Sequence, residues 1–492
     1  MIPITSVLDN APLTAWLSLL LVLAFLLLIW NRGGFRWQTL KNVRGPPSGS
    51  WLYGHQVDFN RQMEVGDLDF TWFNEYGGAW KRNILMISDP AAIHHVIHTM
   101  GYGYPKTTEN QTFTGLGFGR GHVAWAGGDT HVRHRKLLNP AFTAQAQRAF
   151  YPVFRCAAAQ LTAQWKDKFQ DSGDCSEFQT TNISRSLANA TFDIICETVF
   201  DYHSGALDGN TDKNEFSEVF NNIFTDSNLF PSKIAILFAA SWAYWPEALL
   251  RHVGNLPFRQ FVRFKAFLTL GKKFGKDLIE SKFTVVDGSK KRRDILSILV
   301  DANEANSKDE RLSEDEVLSQ VTQVTLIKEG LRMHPISPWI TRESAIHNDI
   351  PLSEPVMGVD GKEITQVGVI PGQPVLVSTC AYNRHPAVWG ADSDQWNPRR
   401  HLNHDMKEKR VPVGLYSNLL TFSGGPSGCI GWRFGLTEMQ SILVELIENF
   451  EFCPPTNKNV KVLRTHAGAL MAPMVKGGFN EGTQMPIGIR PL

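Results

Sequence analysis

The sequence has almost no charge imbalance. Its 492 residues carry 49 Lys and Arg against 48 Asp and Glu, a net charge of +1. A nucleic-acid partner would call for a basic surface, so the balance argues against one. Cysteine is scarce as well. The six residues Cys156, Cys175, Cys196, Cys380, Cys429 and Cys453 include no C-x-x-C and no paired spacing. That fits a reducing compartment and speaks against a disulfide framework. Internal repeats and low-complexity tracts are absent. What remains, 43% apolar and 20% charged residues, is the make-up of an ordinary globular core. The length allows one large domain or two or three small ones.

Long uncharged runs are missing too, with one exception. Ala11–Trp30 is a stretch of 20 residues without a charge. As a helix it would span roughly 30 Å, about one hydrocarbon core. Asp9 precedes it, and Arg32, Arg36, Lys41 and Arg44 follow it. The positive-inside rule then places the bulk of the chain in the cytosol. A cleaved signal peptide would show a shorter apolar run, a positive start and a small-residue cleavage site, and all three are lacking. The expectation is a single uncleaved transmembrane helix. Gly45-Pro46-Pro47-Ser48-Gly49 follows as a stiff, helix-breaking link. The chain thus divides into a luminal tip and anchor (1–30), a basic, proline-rich hinge (31–50) and one domain (51–492).

The stretch that organises the domain is Thr421–Phe434, TFSGGPSGCIGWRF. Gly424, Gly425, Pro426 and Gly428 lead into Cys429. From Ile430 to Phe450 apolar residues recur at helical spacing. Cys429 therefore sits where a tight loop becomes a helix N-terminus. The helix dipole and unpaired N–H groups there favour the thiolate, an anionic soft ligand for iron. Glycines would let the chain approach a flat macrocycle closely. A lone cysteine in such a loop also suits a small buried hydrophobe. A nucleophile would need a base, and no His is fixed nearby by local sequence.

The pattern Phe422-x-x-Gly425-x-x-x-Cys429-x-Gly431 is far more specific than the cysteine itself. It resembles the haem-binding signature of the cytochrome P-450 family. The resemblance implies a mostly α fold with small β-sheets and a haem whose iron is held by Cys429. It also implies electrons from NADPH through a reductase and a lipophilic small-molecule substrate. Other motifs follow in the family's order. His131 and Arg135, four apart on a basic helix start, match the pair that grips the haem propionates. Glu329-x-x-Arg332, then Asn383-Arg384-His385-Pro386, then Pro398-Arg399-Arg400 keep that order, and the resemblance makes Glu329, Arg332 and Arg400 the buried charge network beneath the haem. An anchored member of this type resides in the endoplasmic reticulum membrane with a cytosolic catalytic domain. Many serve secondary metabolism, terpenoid tailoring included. On that side of the membrane the sequons at Asn110, Asn182 and Asn189 would go unused.

Two departures stand out. Ser427 occupies the place of a basic residue that contacts a propionate. Only 15 residues separate Ser313 from Glu329, where the family has most of its longest helix, a following helix pair and the start of the E-x-x-R helix. That long helix carries the acid and Thr that deliver protons during oxygen activation. No such pair stands here, so no catalytic residues are assigned. Ala126-Gly127-Gly128-Asp129-Thr130 matches the text of the motif but lies far upstream. The gap reads as an internal deletion. It sets a monooxygenase against a catalytically silent, haem-binding or misfolded product.

Along the rest of the chain, residues 101–128, rich in Gly, Thr and Phe, read as a long loop. Helices are expected over Thr143–Phe169, Ser184–Phe200, Asn214–Phe224 and Arg259–Phe283. The substrate would meet the Tyr104–Trp125 stretch and the helices near Phe220–Phe238.

Overall fold

The helical periodicity after Phe142 becomes one long helix. In a computed structural model the residues described are 39–50, 52–82, 84–171, 177–208, 223, 229–284, 325–402, 411–468 and 470–492. The longer helices are α1 (Asp67–Tyr76), α2 (Thr108–Phe118), α3 (Gly128–Leu138), α4 (Ala144–Asp171), α5 (Ser184–Phe200), α6 (Arg259–Thr284) and α7 (Trp432–Asn449). On α4, Phe150, Phe154, Ala157, Ala158, Leu161, Trp165 and Phe169 are buried, at spacings of three and four that form one face. That face receives α7. The Phe434 ring stands 5.0 Å from Phe154 and 6.3 Å from Phe150. Fully burying each such aromatic stabilises the fold by about 1.5–3 kcal/mol.

The sheets are small, as the mostly α reading requires. β1 (Ala79–Lys81), β2 (Leu85–Ile87), β4 (Trp339–Glu343) and β7 (Pro374–Ser378) form one sheet in the order β1-β2-β7-β4. Only β2 and β7 run parallel. Leu85, Met86 and Ile87 are fully buried, the uninterrupted apolar run of a strand covered on both faces. β3 (Gln179–Asn182), β8 (Phe450–Cys453) and β11 (Pro486–Pro491) form a second sheet. β5 (Asn348–Met357) with β6 (Glu363–Val369), and β9 (Val462–Ala467) with β10 (Leu470–Val475), form two-stranded pairs.

Helix α7 belongs to two hydrophobic cores at once. Leu436 packs into the core built on the β1-β2-β7-β4 sheet. Phe434, Ile442 and Leu446 pack into the core built on α4 and α5. The loop that carries Cys429 leads directly into this shared helix.

One expectation is corrected. Residues 101–128 are not a long loop: Gly101–Gly103 makes a 3₁₀ turn and Thr108–Phe118 is helix α2. Thr107 caps it, its side chain accepting the Asn110 N–H at 3.3 Å. Gly115 and Gly117 depress helix propensity and hide the pattern. Gly115 is there for packing: a Cβ at that point would come within 3.1 Å of the Trp125 indole. Among the described residues no helix is long and apolar enough to cross a membrane. The expected anchor Ala11–Trp30, the expected helix Asn214–Phe224 apart from Ile223, and the Ser313–Lys328 interval up to residue 324 lie outside the described residues.

Candidate active site

The Cys429 loop is held at its entrance by Asn383. The Asn383 carboxamide accepts the Leu420 N–H at 3.0 Å and donates to the Thr421 hydroxyl at 3.1 Å. Thr421 in turn donates to the Leu331 carbonyl at 2.7 Å. The loop closes where the Cys429 N–H donates to the Phe422 carbonyl at 2.9 Å. Gly425, at φ +61°, adopts a left-handed conformation that a side chain disfavours. Its missing Cβ would collide with the Ile97 carbonyl, and that of Gly424 with the Val413 carbonyl. These two glycines thus serve the loop's approach to the protein's own backbone.

The thiol also departs from expectation. Helix α7 begins at Trp432, with Gly431 as its N-cap, so Cys429 stands near a helix N-terminus. Although the residue is exposed, the protein around its sulfur desolvates it and pushes the thiol up. The Gly431 N–H and the Arg135 charge pull the other way without overcoming that effect. The thiolate is therefore not favoured by the protein alone; a cation at the sulfur would have to supply the difference.

Behind the loop lies the expected charge network. Glu329 and Arg332 are fully buried and Arg400 nearly so. Arg332 grips both Glu329 oxygens, at 2.9 and 2.8 Å. Arg400 Nε adds a bond of 3.2 Å, the Asn397 N–H one of 2.8 Å and His401 Nε2 one of 3.0 Å. Burial alone would raise the Glu329 pKa, but the bonds from Arg332, His401 and Asn397 outweigh it and hold the carboxyl well below its ordinary range. Arg332 also donates to the Asn383 carbonyl at 2.8 Å. Asn383 thereby joins the network to the cysteine loop, one residue touching both. Removing one partner of a buried pair strands the other. Arg332→Met is expected to cost about 3–5 kcal/mol, read as a lower urea midpoint. Glu329 has a depressed folded pKa, so its contribution is complete above the unfolded value of about 4.3 and is lost as pH falls toward the lower folded one.

A second group of charges faces the loop from another side. His131, on α3, is buried and bonded to the Tyr102 hydroxyl at 2.8 Å. Burial, together with the charges of Lys106, Arg135, His134 and Arg342, pushes its pKa down to about 4, so it is neutral at pH 7. Burial, with Arg342 adding to it, lowers Lys106 to about 8, and burial lowers Arg342 to about 10. Arg135 Nη1 donates to the Gly428 carbonyl at 2.7 Å. Lys106 donates to the carbonyls of Ala124 and Ala126, the latter at 3.2 Å. Among the described residues, none of Lys106, Arg135 and Arg342 forms an ion pair with a carboxylate. Three cations that all act on His131, without a counter-charge among the described residues, are arranged for an anionic ligand.

The comparison with known families decides what this arrangement is. The family model for cytochrome P-450 matches residues 44–326 and 324–476. The chain belongs to the cytochrome P-450 family. Similar curated proteins include "cytochrome P-450 monooxygenase 205" of Postia placenta (strain ATCC 44394 / Madison 698-R), 26% identical over 92% of this chain and 93% of that protein. Another is "cytochrome P-450 monooxygenase claQ" of Ampulloclitocybe clavipes, 25% identical over 95% of this chain and 97% of that protein. As a P-450 the chain is an oxidoreductase of the monooxygenase class. Its cofactor is a haem bound through a cysteine thiolate, and its electrons come from a nicotinamide cofactor through a reductase.

The residues present fit that cofactor. A P-450 haem brings one soft-ligand demand and two carboxylates. Cys429 is exposed at the head of its loop, with the Gly431 N–H bonded to it, and the uncompensated cations supply charge for carboxylates. Lys106 and Arg342 escaped the sequence reading. Each is a single cation in an otherwise unmarked segment, Arg342 near the end of strand β4, with no periodic partner to flag it. Lys106 supplies charge in a cluster where Ser427 supplies none.

Proposed function

We propose that Cys429 is the axial ligand of the haem iron, and that Lys106, Arg135 and Arg342, with His131, hold the propionates. When bound, the haem supplies oxygen activation and insertion of one oxygen atom into a lipophilic substrate. The chain's residues position and insulate that chemistry. The Gly431 N–H disperses charge on the sulfur. Phe422 contributes the carbonyl that closes the loop and a ring packed 6.5 Å from Tyr416. Gly425 allows the loop to lie flush on the segment carrying Ile97. Glu329, Arg332 and Arg400, through Asn383, fix the loop's height. The observation that carries this reading is the cysteine loop locked by Asn383 to a fully buried ion network, facing three unneutralised cations. Titration with haemin tests it: one haem per chain is expected, with affinity falling at least tenfold when Arg135 and Arg342 are both replaced by Gln. Unchanged affinity in that variant would put the propionates elsewhere.

The substrate is proposed to be a lipophilic secondary metabolite, terpenoids included. It would lie against α2, whose Phe113 ring meets Phe264 of α6 at 5.6 Å. The chain is further proposed to be a single-pass protein of the endoplasmic reticulum membrane with its catalytic domain in the cytosol. Deleting Met1–Trp30 should move it from the membrane pellet to the soluble or aggregated fraction. Protease should digest the domain in intact microsomes; full protection would reverse the assigned orientation.

A specific observation supports a second reading, a catalytically silent protein. The family match breaks into two stretches meeting at residues 324–326, at the end of the shortened interval. The alignments with the two relatives run over 527 and 540 residues, longer than this 492-residue chain. Both agree with a missing internal segment.

A further inference from the structure

Three histidines crowd one short turn of the chain. His94 ends the short helix Pro90–His94, and a π turn runs on from His95 to Thr99. The Met100 N–H marks it, donating five residues back to the His95 carbonyl at 2.9 Å. Turns of this kind are rare and recur at functional sites. Here the widened turn stacks His98 on His94, with ring centroids 4.9 Å apart and planes 14° apart. Both residues are partly buried. Other histidines, His203 and His401 among them, lean on a carboxylate; among the described residues His94 and His98 form no ion pair.

The two rings are held differently. His98 Nε2 stands 2.7 Å from the Val413 carbonyl. A carbonyl can only accept, so in the neutral ring Nε2 carries the proton and Nδ1 keeps its lone pair. His94 Nδ1 meets the Thr99 hydroxyl at a long 3.4 Å. That hydroxyl can accept from Nδ1, which leaves the Nε2 lone pair open. Burial, with the charges of His98 and His95 adding to it, pushes the His94 pKa down, so the ring is neutral at pH 7. His95 turns away, its Nε2 bonded to the Asn348 side-chain oxygen at 2.7 Å.

We propose that His94 and His98 together bind a divalent transition-metal ion of the zinc or copper type. Neutral imidazole is the nitrogen ligand those ions prefer. Residues four apart on a helical turn are neighbours, so the two rings can meet one ion. In the stacked arrangement their lone pairs run side by side, and one ring must turn about its broad χ2 torsion to converge on it. His94, held by the long Thr99 contact, is the ring that turns, while His98 stays on Val413. Among the described residues no third His, Cys, Asp or Glu completes a metal-binding group with them. Water fills the remaining positions, and Mg²⁺, which demands oxygen ligands, is rejected. Through His98 the ion would reach the cysteine loop: a Cβ at Gly424 would come within 2.7 Å of His98 Nε2.

The test titrates the haem-loaded full chain with zinc chloride by calorimetry. The bound ion is read by X-ray absorption at the zinc edge, which the haem iron does not obscure. The tightest site should have a dissociation constant on the order of 10 µM, since it offers half the protein ligands of a structural zinc site. Two imidazole nitrogens and no sulfur should surround the ion. Copper(II) should bind more tightly than zinc, and Mg²⁺ should not compete. His94→Ala should weaken zinc binding at least about tenfold with the haem spectrum unchanged. His98→Gln should weaken it as much; its amide can keep the Val413 bond, so the metal-free melting temperature should hold. His95→Gln should leave the affinity unaltered. Zinc affinity that survives His94→Ala overturns the proposal. Sulfur at the ion, which would assign it to a cysteine, overturns it as well, and so does a single imidazole.

Discussion

Cys429→Ser is expected to abolish the thiolate-type absorption of the reduced carbon monoxide complex, and Cys380→Ser to leave it intact. Burial pushes the Cys196 thiol up to about 12, and Cys380 is fully buried with its thiol raised further still. Neither can present a thiolate to a cofactor. Cys156 lies exposed on α4 and Cys453 at the end of β8. Cys429 alone among the five described cysteines combines exposure, an adjacent backbone N–H and the charge of Arg135. Cys429→His should return a histidine-type spectrum if haem is still held by the cation cluster. The assignment fails if Cys429→Ser keeps the thiolate signal and another cysteine variant removes it.

The second large effect concerns turnover. The chain as it stands is expected to oxidise substrate at least about 100-fold more slowly than a version with a family-like segment restored between Leu318 and Lys328. Positioned proton transfer contributes on the order of 10²–10⁴ in rate, and the acid–Thr pair that would provide it is absent from the interval. Loss of water exclusion should add uncoupling, read as peroxide released per NADPH consumed. Both forms would be expressed with a reductase, and product and peroxide measured for each. Tight coupling and full turnover in the unmodified chain would show the segment to be dispensable.

The sequence made some of this legible for definite reasons. The Ser184–Phe200 helix was readable because its apolar residues keep a strict helical period, and the structure places α5 over the same residues. The order of Glu329, Arg332, Arg400 and Cys429 was readable because it matches a family signature. The network's completeness was not. His401 and Asn397 reach Glu329 only after the chain folds back on itself, 72 and 68 residues downstream. Nor could spacing reveal that the thiol would be raised, since desolvation depends on everything packed around the sulfur. Helix α2 was hidden because its glycines lower propensity while tertiary contacts with Trp125 make them useful.

Helix α7 takes part in two hydrophobic cores, and that bears on lifetimes. The cysteine loop cannot swing open as a small local fluctuation, because its C-terminal end is the first turn of an element on which both halves of the domain close. Opening the loop means loosening both halves together, an excursion close in free energy to complete unfolding. Amide protons around Phe434 and Leu436 should therefore be among the last to exchange with solvent.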